Sequence, residues 1–236
     1  METTIAILFG SAFMLALVHT ILGPDHYLPF IALGKARNWT LSKTLRICFY
    51  CGIGHVLSSV VIGLIGLAIG SAVFSLEKLE GMRGEIAAWI LFVFGFAYMI
   101  WGLWRAFKRK PHTHFHLHSD GTGHEHNHAH VQSHTHVHDT EKKKATAWIL
   151  FLIFIFGPCE PLIPLLIYPA AQFNTLIVVL VALIFSVTTI ATMMGMVWVS
   201  LKGLSFMKSG PLARYAHSLA GLVIFACGGA MLFLGL

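Results

Sequence analysis

Asp25 and His26 follow Gly23-Pro24, and Cys159 and Glu160 follow Gly157-Pro158, each pair interrupting a long apolar run. Ionisable side chains are expensive in hydrocarbon, and one placed there is functional by default. Pro raises the cost, because it removes a backbone donor and leaves carbonyls unbonded. Imidazole, carboxylate and thiolate together suit borderline divalent metals such as Ni, Co, Zn or Fe(II), and not Mg or Ca. His19 lies seven residues before His26. On a continuous helix the two would share a face roughly 10 Å apart. Pro24 disfavours helical geometry at Gly23, so Asp25 and His26 are expected to open a new half-helix. The N-terminus of that half-helix carries partial positive charge, which Asp25 and Glu160 must outweigh to hold a cation.

Further ligand types lie in the following apolar runs. Cys48, Cys51 and His55 are spaced by three and four, hence along one stripe of a helix, with Ser58 and Ser59 close by. For Cys48 and Cys51 the favoured reading is small residues at a helix contact. The corresponding run in the second half offers hydroxyl and thioether groups at Thr189, Thr192 and Met193. The candidate set for a metal in the membrane is therefore His19, Asp25, His26, His55, Cys159, Glu160, Thr189, Thr192 and Met193. A second ligand source is the segment 112–138, where His112, His114, His116 and His118 alternate, then His124, His126, His128 and His130, then His134, His136 and His138. Alternation puts the imidazoles of an extended segment on one face. Having few large apolar residues, the segment is expected to lack a fold of its own when metal-free and to bind Zn, Ni, Co or Cu.

These residues are carried by a membrane architecture. The 236 residues are 56% hydrophobic and 11% charged, with a mean hydropathy of +0.75, which excludes an ordinary soluble domain. Six stretches, near 4–22, 46–75, 86–106, 146–169, 174–200 and 212–235, are each long enough to cross a bilayer core of about 30 Å. The first lacks a basic n-region and a small-residue cleavage site, so it is not expected to be a signal peptide. Basic residues gather in alternate connections: Lys35, Arg37, Lys43 and Arg46; Arg105, Lys108 to Lys110 and Lys142 to Lys144; Lys202, Lys208 and Arg214. The run Glu77, Lys78, Glu80, Arg83 and Glu85 is read as the connection between stretches two and three, on the opposite side. The positive-inside rule then places both termini outside and the His-rich loop in the cytoplasm. The net charge of +6 reflects orientation, and no basic soluble face for nucleic acid is visible. Four cysteines do not make a disulfide framework here.

Displacing the chain against itself by 134 positions aligns Gly23 with Gly157, Pro24 with Pro158, Leu28 with Leu162 and Gly95 with Gly229, and places His55 on Thr189. Three spans per half is an odd number, so the second copy would enter the membrane inverted. The expected fold is an all-α polytopic membrane protein, six transmembrane helices as a 3+3 inverted-topology repeat with two Pro-broken helices. Its parts are 1–107, the first three-helix repeat; 108–145, the His-rich cytoplasmic loop; and 146–236, the second repeat.

His19-x5-Asp25-His26, the Gly54-His55 pair and the His-rich loop between spans three and four resemble the nickel/cobalt transporter superfamily, in particular its NicO/RcnA-type members and the UreH-like transmembrane domains of urease accessory proteins. That superfamily's His-x4-Asp-His signature is one residue shorter. The resemblance implies His19, Asp25, His26 and His55 as metal-path residues. Gly157-Pro158-Cys159 also resembles, more weakly, the CcdA/DsbD-type thiol-transfer membrane proteins, which use a redox cysteine in each half. Here Asp25 stands at the first-half position. An anion exporter of the TauE/SafE group would want fixed positive charge in the membrane, and none of the six stretches has Lys or Arg at its centre. The expectation is a transporter, not an enzyme, leaning toward export of a divalent transition metal, with no organic cofactor and no nucleic-acid partner. The thiol-disulfide relay is the alternative. Expected partners are the lipid bilayer of a prokaryotic plasma (inner) membrane, the metal ion as substrate, and optionally a second copy of the chain.

Overall fold

A computed structural model describes residues 2–68, 73–108, 112–117, 123–128, 139–157, 159, 161–173, 175–205 and 211–235, with side chains described outside 67–68, 73–77, 112–117, 123–128, 139–145, 205 and 211–212. Among the described residues, eight α-helices carry the chain. Helix α1 (Glu2–Leu22) is followed by a single 3₁₀ turn (Pro24–His26), the short α2 (Leu28–Ala36), and the long α3 (Leu41–Ala68) and α4 (Val73–Lys108). After a two-stranded hairpin come α5 (Asp139–Phe156), the short α6 (Leu162–Gln172), the long α7 (Thr175–Ser205) and α8 (Ala216–Leu234). Five helices are long and apolar enough to cross a membrane, namely α1, α3, α4, α7 and α8. The expected crossing at 146–169 is instead two shorter apolar helices, Thr146–Phe156 and Leu162–Gln172, on either side of the second break. Large apolar side chains face outward along every long helix, among them Phe13, Leu57, Trp104, Leu183 and Leu222. A soluble surface would not tolerate such a belt, and lipid accepts it. The chain is an integral membrane protein that contacts the bilayer.

Both breaks form where the sequence places Pro after Gly. Gly23 closes α1 with a bond from its N–H to the His19 carbonyl, 2.9 Å, and then turns extended at φ −84° and ψ 92°. That is the geometry expected of a residue before Pro. The chain resumes through one 3₁₀ turn, His26 N–H to Gly23 O and Tyr27 N–H to Pro24 O. In the second half Gly157 N–H reaches Ile153 O at 2.9 Å, and α6 starts after Leu162 N–H bonds Cys159 O.

Two apolar clusters hold the bundle together. One joins Phe30 and Leu33 of α2 to Cys48 and Cys51 of α3, Leu150 of α5, Met193 of α7 and Ile224 of α8. The other joins Ala12 and Ala16 of α1 to Cys159, Leu166 of α6 and Phe185 of α7. Helices α4 and α8 touch backbone to backbone. A Cβ at Gly95 or Gly102 would collide with the main chain of Phe225 or Ser218, and one at Gly221 or Gly228 with that of Met99 or Phe92. Lipid supplies no hydrophobic force between helices, so such small residues matter by letting two backbones come close enough for dispersion to bind them. The alignment partner of Gly95, Gly229, takes no part in this seam; its added Cβ would meet only the Phe92 ring, at 3.6 Å.

Three expectations need correction. The second stretch begins at Leu41, not 46, and the third begins at Val73, not 86. The charged run read as a connection is therefore helical, and within it Glu80 and Arg83 are buried. Their charges neutralise each other inside the bundle, so a cluster of charge did not mean a loop. Arg83 lies near the start of the candidate span Lys78–Lys108 and not at its centre. Finally, His112–Leu117 and Gly123–His128 are paired antiparallel, with His112 opposite His128, His114 opposite His126 and His116 opposite His124. The two alternating tracts have matching period, which a strand ladder accepts. His118, His130, His134, His136 and His138 lie outside the described residues, as does Glu160.

Candidate metal-binding site

The first break brings two imidazoles together that a straight helix would hold apart. Turning the chain at Gly23 sets the His19 and His26 rings at 4.8 Å between centroids, edge to face, in place of the roughly 10 Å of helical spacing. Helix α3 contributes His55, whose ring stands 5.1 Å from that of His26. One ring nitrogen from each of the three lies within 4.8 Å of the others.

The hydrogen bonds decide which nitrogens are available. His26 Nδ1 lies 3.1 Å from the Gly23 carbonyl and 3.2 Å from Asp25 Oδ1, both acceptors, so it carries the proton. His55 Nδ1 lies 3.3 Å from the Phe154 carbonyl and is a donor for the same reason. The free lone pair of each is then on Nε2. The Nε2 atoms of His19, His26 and His55 are all buried with no partner, and these are three of only five such side-chain atoms among the described residues. Buried polar atoms are almost always satisfied, so three orphans on imidazoles that pack against one another call for a common ligand. Lone pairs repel each other and attract a cation.

Each break feeds this site through its backbone. Pro158 has no N–H, which frees the Phe154 carbonyl from its helical partner. That carbonyl takes the His55 ring proton, while Gly157 N–H makes a second, 3₁₀-type contact to it at 3.2 Å. At the first break the Gly23 carbonyl does the same for His26. Both glycines are required by close approach. A Cβ at Gly23 would come to 2.5 Å from His26 Nδ1, and one at Gly157 to 3.0 Å from His55 Nδ1.

The geometry suits a small transition-metal ion. Nitrogens bound to one tetrahedral Zn-like ion stand about 3.4 Å apart, given bonds of about 2.0–2.1 Å. A triangle with sides up to 4.8 Å is somewhat wider, and an ion would draw each ring in by roughly 1 Å or less. Asp25 sits behind His26 as the carboxylate of a carboxylate–histidine–metal arrangement, fixing the tautomer and raising ligand basicity. A cavity of about 20 Å³, room for one water, adjoins Asp25 and His55 and is otherwise lined mainly by apolar groups, including Leu91, Ile153 and Met231.

The other candidates stand elsewhere. Cys159 is fully buried in the α1–α6–α7 cluster and does not join the three histidines. Thr189 is buried with its Oγ1 unpartnered, and Thr192 is half-buried on the same helix. Met193 packs in the other apolar cluster, near Gly52. Cys48 and Cys51 are in that cluster too, and all four cysteines are free thiols.

A polar network that sequence reasoning missed lies beside the second break. Glu80 and Arg83 of α4 form an ion pair, 1% and 9% exposed. Arg83 donates to Ser58 Oγ and to the Ile155 carbonyl, each at 2.7 Å, and Ser58 Oγ donates to the His55 carbonyl at 2.8 Å. Glu80 Oε2 accepts from Ser59 Oγ at 3.1 Å and from Cys159 N–H at 3.2 Å. The i, i+3 spacing of opposite charges followed by an uninterrupted apolar run was the available signal.

Residues 5–232 match the family described as cytochrome C biogenesis protein transmembrane region, and the chain belongs to that family. No curated protein and no solved structure matches it significantly. The match agrees with the weaker of the two resemblances drawn from the sequence, and the nickel/cobalt transporter resemblance gains nothing from it.

Proposed function

We propose that this member of the cytochrome c biogenesis transmembrane-region family takes a divalent transition-metal ion as its substrate, binding it between His19, His26 and His55 and passing it across the membrane. The observation that carries this reading is the clustering of three imidazoles, each with a buried unpartnered Nε2 and two of them with Nδ1 locked as a donor. Neutral imidazole is a ligand for Ni, Co, Zn and Fe(II) and a poor one for Mg or Ca. The element order supports a 3+3 inverted repeat, helix–break–short helix–long helix–long helix occurring twice. Alternating access would then rock one half against the other about the histidines. The alternation of basic connections supports termini outside and the His-rich loop in the cytoplasm, where it gathers ions for export. Flux of Ni, Co, Zn and Fe into proteoliposomes tests the reading. His26→Ala should abolish flux while the protein remains monodisperse, and retained flux would sink the reading.

A second reading, a thiol-disulfide relay, draws its support from the family match. Cys48 and Cys51 stand one helical turn apart, and Cys51 lines a cavity of about 360 Å³ with Trp148 and Phe151. Cys159 has Asp25 at the corresponding position of the first break, so the two-break pair of thiols is absent from the sequence. Trapping the thiols with a mass-shifting alkylating agent in cells discriminates the readings. A relay predicts an oxidised fraction involving Cys159 or the Cys48–Cys51 pair, and the metal reading predicts four reduced thiols.

A further inference from the structure

We infer that Glu80 and Arg83 are positioning residues for the three-histidine site, an inference that rests on the metal reading above. In an unbroken helix Cys159 N–H would donate to the Ile155 carbonyl, four residues back. Here the two groups are parted, and the ion pair fits between them: Glu80 accepts from Cys159 N–H, and Arg83 donates to Ile155 O. The pair thus takes both halves of one broken backbone bond. Unsatisfied groups at membrane depth cost several kcal/mol each, so filling both is what makes an open break tolerable there.

The opened segment is the one that orients His55. Its Phe154 carbonyl holds the His55 ring proton, and Gly157 packs against the same ring. From the other side, Arg83 holds Ser58 Oγ, which bonds the His55 carbonyl. His55 is therefore fixed at ring and backbone by two routes that both end on α4. The first break has no such brace, being closed by its own turn and by Tyr27 Oη donating to the Ile21 carbonyl at 3.2 Å. Neither charged side chain is placed among the imidazoles, so their influence is on ring position and not on ligation.

Cobalt(II) bound to the purified full-length protein reports this as the difference spectrum against His26→Ala, which keeps the ions of the His-rich segment and loses those of the buried site, because visible absorption depends on ligand geometry. The neutral variant E80Q keeps an acceptor of full length for Cys159 N–H and leaves Arg83 on Ile155 O, and should keep the wild-type spectrum with affinity within threefold. E80L/R83L keeps bulk without polarity and should weaken binding at least tenfold and shift the spectrum. Should that variant not fold, E80D, whose carboxylate is one methylene short of Cys159 N–H, should give the same spectral shift. A wild-type spectrum and affinity in E80L/R83L, or in E80D, would overturn the inference. Identical cobalt spectra and stoichiometry in wild type and His26→Ala would instead overturn the metal reading, and with it the positioning role of Glu80 and Arg83.

Discussion

At the scale of residues, the site is organised by where protons cannot be. His26 and His55 each spend Nδ1–H on a carbonyl that belongs to a broken helix, and this leaves Nε2 as a buried base. Asp25 is then more effective behind His26 than beside a metal. Asp25→Ala should lower metal affinity by about 10–100-fold, the usual cost of losing an outer-shell carboxylate, whereas His55→Ala should remove the site; isothermal titration calorimetry separates the two. Protons compete with the ion for the same lone pairs, so affinity should fall on acidification and recover on return to neutral pH. The candidacy of His19, Asp25, His26 and His55 was legible in the sequence, because ionisable groups in apolar runs are rare. The division between ligands and supporting groups was not, since it depends on distances across α1 and α3.

At the scale of elements, both breaks were readable from Gly-Pro, and the reason is local: the pre-proline restriction acts on the adjacent residue. The seam between α4 and α8 was not readable, because glycines in membrane helices are common and only their partners give them meaning. Gly221→Leu should cost at least about 1–3 kcal/mol, as overpacking does, and lower the unfolding temperature in detergent. Gly10→Ala provides the contrast. Nothing lies within 4 Å of its added Cβ, and removing a helical glycine should raise stability by up to about 1 kcal/mol. The charged run 77–85 shows the opposite failure. Solvation of charges is the ordinary expectation for such a run, and it lost here because Glu80 and Arg83 satisfy each other and a broken backbone.

At the scale of the whole molecule, the metal reading predicts that the His-rich segment and the membrane bundle are separable in function. Deleting residues 112–138 should leave metal flux measurable at saturating metal and reduce it at low metal, where gathering ions matters; complete loss under both conditions would assign the segment an obligatory role. Orientation has a direct readout as well. Ser119→Cys should react with a membrane-impermeant maleimide only after the cytoplasmic face is opened, as the distribution of basic residues requires.

Composition by itself determined that the chain lives in a membrane, since no soluble surface could carry so much apolar area. Proline chemistry by itself determined where two helices break. Tertiary structure decided what the breaks are for. The Phe154 carbonyl, freed because Pro158 has no N–H, could have been bonded by water, by neighbouring helices or by nothing, and no local rule chooses among these. In the folded chain it is taken by His55, and an ion pair from α4 fills the remaining gap. Because those partners come from elsewhere in the chain, 99 residues away in the case of His55 and Phe154, only folding could pack the three imidazoles together.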